Sequence, residues 1–243
     1  MASELQGITD DLTHELAGLR FAPPVTHVYN PLTYARPAWD AYTARYGQPP
    51  RKVLLLGMNP GPYGMAQVGV PFGEVAMVRD WLGIHAAIGQ PEVVHPKRPI
   101  QGFACPRSEV SGQRFWGWAR DTFGTPERFF ATFFVTNYCP LCFMAASGAN
   151  LTPDKLPAAE RAALFAVCDR ALRRTVALMQ PEFAIGVGHF AEQRLKIALA
   201  DSPDVRIGRV PHPSPASPQA NAGWAKLMDA ALAEAGIALP ARR

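Results

Sequence analysis

The sequence predicts an α/β protein, a three-layer α/β/α sandwich around a central, mainly parallel four-stranded sheet. Three observations carry this expectation. Four short runs, at residues 53–56, 133–136, 183–188 and 205–210, read as strands, the first two with the apolar continuity of buried ones. In the second half of the chain, stretches with helical spacing separate those runs, so the sheet is parallel and covered on both faces. Three of the runs stop at loops carrying Asn or His beside Gly or Pro, and right-handed crossovers put those strand ends on one rim.

Residues 3–21 carry Leu5, Ile8, Leu12, Leu16 and Leu19 at helix spacing, with Ser3 as a cap, and predict a surface helix. Residues 22–50 are Pro- and Tyr-rich and are expected to be irregular, with a short helix at 38–46. The run Val53-Leu54-Leu55-Leu56 breaks at Gly57-Met58-Asn59-Pro60-Gly61-Pro62, a long loop closing on Val70-Pro71-Phe72-Gly73-Glu74. A helix is expected over 75–88, then a Pro-rich connector over 89–113 dotted with Lys97, Arg98 and Arg107. Phe115, Trp116 and Trp118 are expected in the core. The second strand ends at Asn137-Tyr138-Cys139-Pro140. Residues 144–157 predict a small-residue loop, with Thr152-Pro153-Asp154 marking a helix start. Helices follow at 158–179, 189–200 and 220–235, with strands between the first two and before His212. No repeat and no internal boundary appear, so residues 1–243 are expected to form one domain, with 1–24 packed on it.

The chain has 243 residues, 48% of them apolar and 18% charged, with a net charge of +4. That modest basic excess leans towards a polyanionic partner. Cys139 and Cys142 have CxxC spacing, but Cys105 and Cys168 lie far off without paired spacing, so structural thiols are expected and no metal. The acidic N-terminal region does not read as a signal peptide, and no apolar run is long enough to span a membrane. With the Ala-rich composition, a cytoplasmic protein of a bacterium is expected (nuclear if eukaryotic).

Taken singly, Asn59 and Asn137 are explained as turn caps and His212 as a structural histidine. Together on one rim they have a chemistry. A carboxamide accepts from a ring N–H and donates to the adjacent carbonyl, the edge pattern of uracil. A histidine N–H stabilises charge developing on a carbonyl oxygen. Phe72 offers a stacking face. No carboxylate sits in these motifs, so the reaction expected is one with a good leaving group and a positioned water.

The stretches GMNPGPYGMAQVGVPFGE, SEVSGQRFWGW, NYCPL, SGANLTPDKLP and HPSPASPQANAGW closely resemble the single-strand-selective monofunctional uracil-DNA glycosylases, over roughly residues 25–236. The resemblance implies the uracil-DNA glycosylase fold and excision of uracil and 5-oxidised uracils from DNA, leaving an abasic site. It implies no cofactor, a monomer, and single- and double-stranded DNA as partner, which would make the protein DNA-associated. Carried over by position, Asn59 would hold the attacking water and His212 would stabilise the departing uracil anion. Asn137 would read the base edge and Phe72 would stack on the ring, while Met58, Gly61 and Met65 would shape the pocket. The wedge would be Pro213, Ser214, Pro215, Ala216, Ser217, Pro218 and Gln219. The segment from Ser147 to Arg161, with Gly148, Asn150 and Lys155, would also touch DNA. No lysine lies in the first or last motif, so no Schiff-base lyase step is expected.

Other readings stay open at this point. Mismatch-specific thymine/uracil glycosylases share an Asn-Pro-Gly turn, but their last motif usually starts with Asn where His212 stands. Iron–sulfur uracil glycosylases need a cysteine arrangement absent here. A non-catalytic damaged-DNA binder would not need Asn59, and a free-nucleoside enzyme would be expected to show a GxGxxG or P-loop signature. The sequence does not rank uracil, its oxidised forms, xanthine and hypoxanthine as candidate substrates.

Animal members of the family carry Arg at the positions of Ala216 and Ala149. Losing both weakens support for a base extruded from a duplex, so a stronger preference for single strands or unstable mismatches is expected. Equal excision rates on single-stranded and paired uracil would contradict it.

Overall fold

The computed structural model describes residues 4–240. Helix α1 (Glu4–Ala17) buries Leu5, Ile8 and Leu16, the stripe its spacing predicts. The cap expected at Ser3 lies outside the described residues. The stretch expected to be irregular holds more structure than that. It contains a strand, β1 (Val25–Tyr29), and one helical turn, α2 (Pro31–Tyr34), whose N-cap Asn30 accepts from the Leu32 amide. Helix α3 (Arg36–Tyr46) follows, starting earlier than its apolar spacing suggested.

Strand β2 (Val53–Gly57) is buried at every position, as expected of a strand covered on both faces. Its loop contains a short turn, α4 (Met65–Val68). The helix expected over 75–88 does not form beyond one π-type turn, Met77–Trp81. Its apolar spacing is real, with Val75, Val78 and Leu82 buried, but one local and one long-range partner fix the turn and end it. The Glu74 carboxylate accepts from the Met77 amide at 2.9 Å, and Gly83 turns the chain out at φ +64. The Tyr46 hydroxyl then takes the Leu82 carbonyl, which a continuing helix would have used.

The connector ends earlier than expected, at the start of α5 (Val110–Phe123). Phe115, Trp116 and Trp118 on α5 are buried, as predicted. Next come α6 (Pro126–Phe130), capped by Thr125, and β3 (Phe133–Asn137). The small-residue loop holds two short strands, β4 (Cys142–Ala145) and β5 (Asn150–Leu151). The helix start at Thr152 proves to be a 3-10 turn, Pro153–Lys155, and α7 (Ala158–Met179) begins after it. The chain closes with β6 (Phe183–Val187), α8 (His189–Ala198), β7 (Arg206–Val210) and α9 (Pro218–Glu234).

The four main strands form the expected parallel sheet, in the order β3-β2-β6-β7, with helices around it. Gly57 pairs opposite Asn137, and Val187 opposite Val210, so the strands end level with one another. A separate antiparallel sheet, β1-β4-β5, was not anticipated. Its strands are two to five residues long, and β1 pairs with β4 across more than a hundred residues of sequence. No local pattern reports such a pairing.

Strand β3 is an edge of the parallel sheet, and its Val135 carbonyl accepts from the fully buried Tyr42 hydroxyl at 2.8 Å. Removing that donor leaves a buried carbonyl unpaired. Tyr42→Phe is expected to lower stability by about 1–3 kcal/mol, measured as a shift in urea midpoint at unchanged slope. An unshifted midpoint would show that the carbonyl does not depend on the hydroxyl.

Candidate active site

Strands β2, β3 and β7 deliver Asn59, Asn137 and His212 to one open cleft of about 420 Å³. Met58, Gly61, Met65 and Phe72 line it as well. Every residue singled out for catalysis or base binding therefore faces the same space. The segments singled out for DNA contact divide. Asn150, Thr152, Ser214 and Pro215 reach the cleft wall, whereas the other members are not among its lining residues.

The Asn59 Nδ2 donates to the Leu141 carbonyl at 3.1 Å and lies 3.5 Å from the Pro60 carbonyl. Both neighbours are acceptors, so the amino side of the amide must face them, and Oδ1 is left as the acceptor. Asn137 is held more loosely, its Nδ2 donating to the Met65 sulfur at 3.2 Å. A thioether is a weak acceptor, so this carboxamide keeps most of its capacity for a ligand.

Gly57 makes the arrangement possible. A Cβ there would stand 2.2 Å from Asn137 Oδ1 and 2.8 Å from the Phe72 ring. Phe115 stacks on Phe72 with centroids 4.4 Å apart and planes at 7°, covering one face of the ring. The Phe72 backbone sits at φ +52, a conformation that a bulky side chain rarely adopts. The first turn of α5 presses on it, because a Cβ on Gly112 would lie 2.2 Å from the Phe72 carbonyl oxygen. The aromatic cluster that the sequence assigned to the core thus also fixes the ring at the cleft.

His212 follows β7 and packs over Gly188, where a Cβ would be 3.2 Å from the His212 Cβ. Burial lowers its pKa below the ordinary 6.5, because the charged ring would lose hydration without gaining a counter-charge. The ring is therefore neutral at pH 7, with one N–H to donate.

A carboxyl does enter the cleft, contrary to the sequence expectation. Glu109, immediately before α5, lies against Gly61, where a Cβ would be 2.7 Å from its Oε2. Burial raises its pKa, partly offset by a hydrogen bond from the Tyr63 backbone N–H. Glu109 lies far in sequence from the strand-end motifs, and only the packing of α5 brings it in.

The segment after His212 is tied down by residues within the quoted motifs, of which Arg114, Asn221 and Trp224 had been given no role. The Arg114 Nη1 donates to the Pro213 and Ser214 carbonyls at 3.1 and 3.3 Å, and its Nη2 to the Asn221 Oδ1 at 2.7 Å. Asn221 Nδ2 donates in turn to the Pro215 carbonyl. The Trp224 indole holds the Pro211 carbonyl at 2.7 Å, and Ser217 caps α9. Pro213 is buried under this network, while Pro215, Ala216, Pro218 and Gln219 stay exposed. In the other segment Ser147, Asn150 and Lys155 are exposed, Gly148 is buried, and Arg161 donates to the Asp154 carbonyl. All four cysteines are free thiols in the interior.

A family model described as the Uracil DNA glycosylase superfamily matches residues 44–235. The single-strand selective monofunctional uracil-DNA glycosylase of Rattus norvegicus is 52% identical over 227 residues, 93% of this chain and 82% of that protein. The Bos taurus protein of the same name is also 52% identical, over 93% of this chain and 84% of its own length. The crystal structure of wild-type SMUG2 from Pedobacter heparinus matches with a TM-score of 0.68 at 19% identity, covering 93% of this chain and 96% of that one. At that identity it bears on the fold alone.

Gly57→Ala is expected to displace both the Phe72 ring and the Asn137 carboxamide and to cost about 1–3 kcal/mol, the range for overpacking a well-filled core. Chemical denaturation gives the cost, and side-chain NMR shifts of Asn137 and Phe72 give the displacement. Unchanged shifts at both would refute the close approach.

Proposed function

The chain belongs to the uracil-DNA glycosylase superfamily, and from that premise we propose that it removes uracil from DNA in base-excision repair. It is a monofunctional hydrolase of the N-glycosidic bond and leaves an abasic site. The observation that carries this reading is the pairing, across one cleft, of an Asn59 acceptor left free by its neighbours with a neutral His212.

The target bond lies inside a base stack, so the nucleotide must be extruded before the cleft can take the base. Phe72 has one face covered by Phe115 and presents the other to the uracil ring. Asn137 accepts from the ring N3–H and donates to O4. Asn59 Oδ1 accepts a hydrogen bond from the attacking water and so aims the water's lone pair at C1′. The water oxygen bonds to C1′, the C1′–N1 bond breaks, and its electron pair leaves with the base; the water's proton passes to solvent. A neutral His212 donates to O2 as negative charge collects there.

No lysine lines the cleft among the described residues, which supports hydrolysis without a covalent imine. Gly61 and Met65 border the side of the ring beyond Asn137, and an open wall there would admit 5-oxidised uracils such as 5-hydroxymethyluracil. Pro215 and Ala216, exposed at the tip of a segment held by Arg114 and Asn221, would occupy the gap left by the extruded base.

The test is a labelled oligonucleotide with one uracil, single-stranded or paired, with scission scored before and after alkali. Scission only after alkali is expected; none on uracil or on other deaminated bases would favour a damaged-DNA binder. Asn59→Ala and His212→Ala should each lower the single-turnover rate by roughly 100-fold or more while DNA affinity changes little, the scale seen when one oxyanion-stabilising donor is removed. An Asn59→Ala variant excising at the parent rate would remove Asn59 from the water-holding role. Because the neutral imidazole is the working form and its pKa lies below 6.5, the rate should stay level through neutral pH and fall only in acid below that value. An acid limb above it would contradict the assignment.

A further inference from the structure

Tyr63 stands in the loop between Gly61 and Gly64, both of which line the cleft. Two arginines converge on it from the connector. Arg98 Nη1 donates to the Tyr63 hydroxyl oxygen at 2.6 Å and Arg107 Nη1 donates to the same oxygen at 2.9 Å. Both guanidinium groups also lie over the Tyr63 ring, 5.1 and 4.8 Å from its centroid. The two nitrogens are thus within two hydrogen-bond lengths of each other. Among the described residues neither arginine is ion-paired with a carboxylate, whereas Arg36, Arg170 and Arg174 all are.

We infer that Arg98, Tyr63 and Arg107 form a seat for one phosphodiester of the DNA strand that carries the excised base. Two cations held together without a counter-charge repel, and an anion between them relieves that repulsion. The Tyr63 oxygen already accepts two hydrogen bonds, so its own O–H is directed outward as a donor. Guanidinium N–H groups left over from the tyrosine complete a set of donors suited to phosphate oxygens.

The location fits a strand entering the cleft. The turn at 147–149 packs on this cluster: a Cβ on Gly148 would lie 3.3 Å from Lys97 Cβ and 3.5 Å from Arg98 Cζ. The seat therefore lies between the base pocket and that turn. It supplies backbone contact that neither Ala149 nor Ala216 provides. This inference rests on the glycosylase reading above.

The test uses the full chain and a single-stranded oligonucleotide carrying one cleavage-resistant 2′-fluorinated deoxyuridine. Phosphates near the lesion are replaced one at a time by neutral methylphosphonates. Arg107→Gln changes an exposed residue outside the catalytic set, and Tyr63→Phe keeps the ring but removes the hydroxyl. Arg79→Gln, whose side chain pairs with Asp80, is the control.

Arg107→Gln is expected to weaken binding several-fold and to reduce the salt slope of log K by about 0.7–0.9, one phosphate's share. Tyr63→Phe should act in the same direction. At one phosphate, neutralisation should weaken the parent protein but add nothing to Arg107→Gln. Affinity equal to the parent, or additive losses at every phosphate, would overturn the seat. So would a lowered single-turnover rate at saturating enzyme with unchanged affinity, which would move Arg107 into the chemistry. Uracil excision by the parent protein is measured alongside, so failure of the seat is distinguished from failure of the glycosylase reading.

Discussion

Parallel pairing of β2 with β3, with Gly57 opposite Asn137, is the constraint from which the cleft follows. In a parallel sheet all strands leave by the same rim, so polar groups just beyond their ends share one space. Here the register brings the ends of β2 and β3 level, and the Asn137 carboxamide is set directly against Gly57 Cα. The pairing even continues past the strands, with the Tyr138 and Cys139 amides donating to the Gly57 and Met58 carbonyls at 2.9 Å. Those bonds fix the path of the Asn59 loop relative to Asn137. A slip of one residue would turn Asn137 to the opposite face of the sheet.

Inside the cleft the working groups are neutral, and the charge lies at its edge. The Asn59 and Asn137 amides carry no charge, and burial keeps the His212 ring unprotonated and pushes the Glu109 carboxyl towards its neutral form. A neutral donor gains the most as negative charge develops on a leaving base, because no counter-charge must reorganise. The cations sit at the edge. Arg98 and Arg107 are held on Tyr63, and Lys97 and Lys155 are exposed. Elsewhere a number of acids and bases are paired, as in Asp11 with Arg174 and Asp169 with Arg194. A net charge of +4 thus understates how positive the cleft edge is.

Buried strands announce themselves as apolar runs, and β2, β3 and β6 were legible for that reason, whereas β7, RIGRV, is an edge strand largely open to solvent. Helix α7 was legible at both ends because Pro157 and Gln180 bound a long amphipathic stretch. The helix expected after Glu74 failed for an opposite reason. Its spacing was genuine, but Tyr46 and Gly83 divert the chain after one turn, and a tertiary partner outweighs local periodicity. Strands β1 and β4 escaped notice because each is short and has meaning only against the other. At the site, Asn59, Asn137, Phe72 and His212 were legible as strand-end residues, while Glu109 and Arg114 were not, since α5 presents them from elsewhere in the chain.

By itself the sequence determined the parallel sheet and the residues standing at its carboxyl ends, because apolar runs and chain punctuation are local properties of composition. Its long motifs carried the family. Only the tertiary structure decided which atoms of those residues are free. The Asn59 amide is oriented by a carbonyl 82 residues away, His212 is kept neutral by the elements that bury it, and Phe72 is held by a ring on α5. Likewise, Tyr63 of the first motif meets Arg98 and Arg107, which lie in no motif. Hydrogen-bond partners and desolvation depend on what folding brings alongside, and no window of sequence contains them.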